Sequence, residues 1–150
     1  MANVGQPGRT SVIVRRTGRR EMHVDVRDDL LYTDEHEWLK VEGETGTVGI
    51  TAFAADQLGD VVFVELPAVG RSLQRAEAFG VVESVKAVSD LFAPVGGEVV
   101  EVNQALVGKP ELLNSDPYDE GWIARIRLAD PAAAAEGLKD PAAYRRMIGA

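Results

Sequence analysis

Lys86 sits in the segment Glu83-Ser84-Val85-Lys86-Ala87-Val88-Ser89-Asp90, with small or β-branched residues on either side and an acid at each end. The nearest other Lys or Arg residues are Arg75 and Lys109, so one primary amine stands alone in an acidic, apolar stretch. Phe79-Gly80-Val81-Val82 leads in and Leu91-Phe92-Ala93-Pro94 leads out, followed by Gly96-Gly97. This is the pattern of a hairpin with the lysine at or near its tip. An amine placed there is open to acylation by another enzyme, which would leave a cofactor on it. The acidic flanks let such an enzyme tell this lysine from the others. The ordinary role of a lysine at a strand edge is a solvated charge that blunts the edge, and only its neighbours lift Lys86 above that role.

Other chemistry is poorly supplied. With no cysteine, disulfides, thiol nucleophiles and thiolate metal sites are excluded, and two histidines, His23 and His36, do not make a multi-histidine metal site. No nucleophile–base set stands out, and Gly5 and Gly8 do not follow a strand as a nucleotide-binding loop requires. His36 reads as a residue that fixes local structure, and Trp38 as a packing residue. No apolar run approaches the roughly 20 residues of a membrane span. The first 20 residues hold five arginines and no acid, which leaves 11 basic and 24 acidic residues in 21–150, a net charge of −13 there. So acidic a body repels nucleic acid and anionic membranes and suits partners with basic docking surfaces.

Several elements must position the lysine. Residues 1–28 are expected to be a basic, disordered extension, with Ser11-Val12-Ile13-Val14 as a brief strand, and 29–150 to be one domain. Segments 38–41, 45–50, 60–66, 98–102 and 122–128 read as strands, the last with Trp122, Ala124, Ile126 and Leu128 on one face and Arg125 and Arg127 on the other. Thr51 N-caps a short helix that Gly59 ends. Asp130-Pro131 opens an alanine-rich helix ending at Gly137, and Asp140-Pro141 opens a second. Asn114-Ser115-Asp116-Pro117 reads as a turn. The run Gly59–Gly70 aligns without gaps on Gly97–Gly108, with six of twelve positions identical at a spacing of 38. Two related strand units imply a mainly β, quasi-symmetric fold, a flattened barrel or sandwich with C-terminal helices, and Lys86 projects between the copies.

These residues resemble the H protein of the glycine cleavage system, a lipoyl-carrying member of the biotinyl/lipoyl-domain group. The resemblance is carried by 32–38, with His36-Glu37-Trp38; by Val48-Gly49-Ile50-Thr51; by 58–67; and by Val82-Glu83-Ser84-Val85-Lys86-Ala87. It continues through 93–103, Leu113-Asn114-Ser115-Asp116-Pro117-Tyr118 and Gly121-Trp122. The resemblance implies that Lys86 is amidated by lipoic acid, with Glu83 recognised by the lipoate-attaching enzyme. It implies a carrier, not an enzyme, that takes the aminomethyl group of glycine from the glycine decarboxylase (P protein) to the aminomethyltransferase (T protein) and electrons to dihydrolipoamide dehydrogenase (L protein). It also implies that the loaded arm docks in a cleft at Glu37 and Asp90, as a monomer in the bacterial cytoplasm, or in the mitochondrial matrix of a eukaryote. Where the family often has Gly after Pro-Tyr, Asp119 stands here.

Neighbouring readings fit less well. Biotin carriers usually flank the lysine with methionines, where Val85 and Ala87 stand here. Lipoyl domains of 2-oxoacid dehydrogenases typically carry Asp just before the lysine. A relay that passes lipoyl groups to other lipoyl proteins would use the same Lys86, and an unmodified β-barrel interaction module remains the alternative from another class.

Overall fold

Alternation of apolar and polar residues turns most of the chain into short strands with one face to bury. The computed structural model describes residues 9–15 and 21–149, with side chains from Val24 onward. In chain order the elements are β1 (Arg9–Arg15), β2 (Glu21–Arg27), β3 (Leu31–Tyr32), β4 (Glu37–Glu42), β5 (Thr45–Ile50), α1 (Ala52–Leu58), β6 (Val61–Glu65), β7 (Ser72–Leu73), β8 (Ala78–Ser84) and β9 (Val88–Phe92). They continue as β10 (Gly97–Val102), α2 (Ala105–Gly108), α3 (Leu112–Ser115), β11 (Ala124–Leu128) and α4 (Pro141–Met147). One sheet has the order β3-β4-β5-β11-β10-β7 and a second β6-β8-β9, while β1 and β2 pair with each other. No helix among the described residues is long and apolar enough to cross a membrane.

The principal core lies between the two larger sheets. Leu39, Val48, Val99 and Ile126 from the first meet Val61, Phe79, Val82 and Leu91 from the second. Each such buried side chain contributes about 2 kcal/mol of hydrophobic stabilisation. The sheets stack as a sandwich and do not close into a barrel. The expected repeat is visible as β6 and β10, one in each sheet, with Val61 and Val99 at equivalent buried positions. Ala124, Ile126 and Leu128 face inward as expected, while Arg125 and Arg127 pair with Glu101 and Glu98. Trp122 departs from that face: it precedes the strand and carries the Arg125 guanidinium 4.0 Å above its ring. Gly97 is fixed by close packing of β10 on β11, since a Cβ there would lie 2.2 Å from the Arg127 carbonyl oxygen. Gly97→Ala is therefore expected to lower stability by about 3 kcal/mol in urea denaturation, through forced separation of the two strands.

A second core joins Tyr32, Trp38 and Tyr144 to Val24 and Val26. Tyr32 and Tyr144 stack at 4.3 Å between ring centres, and the Trp38 indole N–H donates to the Pro117 carbonyl at 3.1 Å. Residues 1–8 and 16–20 of the expected extension lie outside the described residues. Within 21–28, however, Glu21–Arg27 is a strand, and Val24 and Val26 are buried, so packing begins ahead of residue 29. Arg27 from this strand reaches Asp119 at 3.2 Å, which ties down the loop that follows Pro117-Tyr118.

The C-terminal expectation needs correction. The second helix forms as α4, with Asp140 accepting from the Ala143 N–H at 2.8 Å. The first does not: only Pro131–Ala133 makes a 3-10 turn, and Asp130 makes no capping bond with its side chain. Reciprocal backbone bonds between Tyr32 and Lys139, at 2.9 and 2.8 Å, pull the following residues into an extended bridge instead. Nor is 114–117 a simple turn, since Asn114 and Ser115 close α3.

Candidate functional site

Strands β8 and β9 pair antiparallel from Ala78↔Phe92 to Glu83↔Val88, which leaves Val85, Lys86 and Ala87 as an exposed tip. Ser84 sets the turn. Its N–H donates to the Ala87 carbonyl at 2.8 Å, and its hydroxyl oxygen accepts from the N–H groups of Lys86 and Ala87 at 3.2 and 3.0 Å. Such a serine-closed turn holds the backbone without bulk. The tip is also tied to the neighbouring segment, because the Val85 N–H donates to the Asp60 carbonyl at 3.0 Å. The Lys86 ammonium is in no ion pair among the described residues.

Beneath the lysine lies the end of α1. Thr51 caps this helix by accepting from the Ala54 N–H at 3.1 Å, and Gly59 ends it at φ +78°. A Cβ on Gly59 would come within 3.2 Å of the Lys86 Cε, so glycine both stops the helix and leaves the lysine its resting place. Asn114 fixes this loop: its amide donates to the Gly59 carbonyl at 2.8 Å, and its oxygen accepts from the Val61 N–H at 2.9 Å. Asn114→Ala is expected to cost about 2 kcal/mol, because both backbone groups lose their partner, and to speed amide exchange at Val61 and Val85. Hydrogen-exchange mass spectrometry measures that loosening directly.

Glu37 occupies a different environment. It is 2% exposed, on β4 of the larger sheet. Its Oε1 accepts from the Thr33 hydroxyl at 2.7 Å, and its Oε2 accepts from the Phe92 N–H of β9 at 3.2 Å, so one carboxyl joins the two sheets. Burial pushes its pKa up to about 7 against the opposing pull of those hydrogen bonds. It lines a cleft of about 170 Å³ with Thr33, Phe92, Pro94 and Leu138. Asp90 does not line that cleft. It is exposed on β9, two residues before Phe92, and so on the same face of that strand. Glu83 is half-buried on β8, opposite Val88.

Lys86, Glu83 and Asp90 therefore share one hairpin, and Glu37 touches its far end. His36 has the structural role expected of it: its Nδ1 is 2.9 Å from the Tyr144 hydroxyl, its ring lies 4.8 Å from that of Phe53, and burial lowers its pKa. Sequence reasoning passed over Asn114 and Thr33 as site residues. Asn114 lies in a stretch matched to the family, yet its partners are more than 50 positions away.

The profile of the family described as "Glycine cleavage H-protein" matches residues 30–150. A glycine cleavage system H protein of Symbiobacterium thermophilum is 62% identical over 120 residues, covering 80% of this chain and 93% of that protein. One from Phenylobacterium zucineum is 58% identical over 117 residues, covering 78% and 96%. The fold matches the crystal structure of a glycine cleavage system H protein from Mycobacterium marinum with a TM-score of 0.74 at 39% identity, covering 81% of this chain and 97% of that one. On matches of this length and identity, the chain belongs to the glycine cleavage H-protein family, a family of lipoyl carriers.

Proposed function

We propose that Lys86 is the residue that bears lipoic acid and that the chain shuttles the aminomethyl group of glycine from the glycine decarboxylase to the aminomethyltransferase, and electrons to dihydrolipoamide dehydrogenase. The observation that carries this reading is the lysine itself, exposed on a tip held by backbone and serine hydrogen bonds. The residues present fit the group. The amine is accessible, its flanking side chains are small or β-branched, and a cleft with an apolar wall and a buried carboxyl adjoins the far end of its hairpin. Once attached, lipoic acid supplies a disulfide–dithiol couple able to carry a one-carbon amine unit and two electrons.

The chain's own residues do the rest. Ser84 and Asp60 hold the attachment point, and Asn114 holds the loop on which the lysine rests. Glu37 offers two acceptor oxygens to a cationic amine in the cleft, where an arm packed against the apolar walls of Phe92 and Pro94 would displace water and slow hydrolysis. Asp90, on the same face of β9, adds negative charge along that strand. We place the carrier in the bacterial cytoplasm, in keeping with relatives such as that of Symbiobacterium thermophilum.

Reconstitution tests the reading. Lipoylated protein is expected to support glycine-dependent carbon dioxide exchange by the decarboxylase, and unmodified protein is not. If lipoylated protein of verified mass gave no exchange yet donated lipoyl groups to other lipoyl proteins, the relay reading would replace the carrier.

A further inference from the structure

Arg75 joins two walls of the cleft that holds Glu37. Its Nε donates to the Pro94 carbonyl at 3.1 Å, just past β9, and its Nη2 donates to the Glu136 carbonyl on the segment before α4. Gly137 and Leu138, next in that segment, line the cleft together with Phe92 and Pro94. On a chain with 24 acidic residues an exposed arginine ordinarily meets water or a carboxylate. Arg75 is in no ion pair among the described residues and spans two main-chain carbonyls instead. Past it lies a second pocket of about 110 Å³ with Val95, Leu128, Ala133 and Ala134, and Arg75 lines both cavities. The turn that carries Arg75 is held firmly. Ala76 sits at φ +69°, where an L side chain is strained, and its N–H donates to the Ala93 carbonyl at 2.7 Å. The Ala93 N–H in turn donates to the Glu77 carbonyl at 2.9 Å. Such strain persists only where neighbours enforce it. The opposite wall makes room for the guanidinium, because a Cβ on Gly137 would lie 2.8 Å from Nη1. No other side chain among the described residues bonds to 134–138.

We infer that Arg75 is a positioning residue of this cleft: it clasps the 136–138 wall to the end of β9 and thereby sets how well a loaded arm is shielded from water. The inference rests on the reading in which Lys86 carries the arm and Glu37 receives its amine. Loss of the amine is a hydrolysis. Water adds its oxygen to the methylene carbon, the bonds from that carbon to sulfur and to nitrogen break, and thiol, formaldehyde and ammonium leave. No electrons change hands, so the rate depends on how readily water reaches the carbon. Arg75 acts on that rate through the wall, without touching the reacting atoms. A planar guanidinium can hold two carbonyls at a set separation, whereas a lysine ammonium is a point donor on a flexible stem.

The test uses the lipoylated full chain, reduced at the dithiolane, loaded with formaldehyde and ammonium, and freed of both by gel filtration. Ammonium release then measures loss of the amine. Arg75→Ala is expected to release it about tenfold faster than the wild type, the scale set by losing hydrogen bonds from a charged group. Arg75→Lys keeps the charge without the fork and is expected to lie closer to the alanine variant than to the wild type. Val48→Ala, in the principal core, controls for lost stability alone and is expected to hold the amine as the wild type does; thermal melts verify that each variant folds. Equal or slower release from Arg75→Ala, with the wild type still slower than free aminomethyl dihydrolipoamide, would overturn the clasp and leave the cleft reading in place. Full wild-type retention in Arg75→Lys would make charge the cause and likewise overturn it. A wild type that loses the amine as fast as the free compound would remove the cleft reading and this inference with it.

Discussion

Lys86→Arg incubated with lipoate, ATP and a lipoate–protein ligase is expected to keep its unmodified mass, while the wild type gains a single lipoyl group. Arginine preserves the positive charge but has no amine that can shed its proton near neutral pH, since guanidinium stays ionised at pKa above about 12. Carrier activity in the reconstituted system should fall to background, a far larger effect than any other substitution considered. Stability should barely move, because the residue is exposed and ordinary surface changes stay within about 0.5 kcal/mol. That combination separates the carrier from a binding module, in which the charge-preserving change would leave function nearly intact. Mass gain in the variant would show that another lysine is the acceptor, and Lys40, Lys109 and Lys139 would then be tested in turn.

The second large effect is a pH dependence that belongs to Glu37. Its folded pKa of about 7 lies above the ordinary value of 4.5, because burial disfavours the charged form. A raised acid stabilises the fold fully below its unfolded pKa, and the contribution is lost as pH rises through the folded pKa. Between pH 4.5 and 8 wild-type stability should therefore lose about 3 kcal/mol that Glu37→Gln does not lose. Urea titrations of both proteins across that range provide the comparison. At low pH the glutamine variant should be the weaker by about 1 kcal/mol, since its amide nitrogen cannot accept from both Thr33 and Phe92. Equal pH slopes for the two proteins would show that Glu37 is not the titrating group. The same linkage bears on function: a cation entering the cleft favours the ionised carboxylate, so its affinity should rise as pH passes about 7.

What could be read from the residues divides along physical lines. Strand β11 was legible because it buries one face and carries its own alternation, and β4, β5, β10 and the β8–β9 hairpin because short apolar runs there are bounded by turn residues. Lys86 was legible because its isolation is a local property. The alanine-rich segment after Asp130 was misread as a helix because helix propensity is a weak prior, and the backbone pairing of Lys139 with Tyr32 overrides it. Val24 and Val26 were hidden by the arginine-rich residues that precede them, although both alternate with polar neighbours. Glu37 was matched to a cleft by resemblance, but its burial was not legible, since a glutamate on a strongly acidic chain is ordinarily solvated. Its partners, Thr33 and Phe92, come from separate parts of the chain. Asn114 followed the same rule, because a side chain that braces a distant loop leaves no periodic trace.

If Lys86 carries the cargo as proposed, the bracing of the tip has a consequence for how traffic through the carrier is regulated. With Val85 tied to Asp60 and the loop beneath tied to Asn114, the backbone at Lys86 is a stationary pivot. Freedom of movement then begins at the lysine side chain, so a cargo tethered there would sample a fixed shell around one point. Its local concentration at a partner's active site is decided by where that partner sits, and hardly at all by loop motion. On the proposed function, choice among successive enzymes would thereby move from the arm to the body, and the order of visits would become a matter of docking lifetimes.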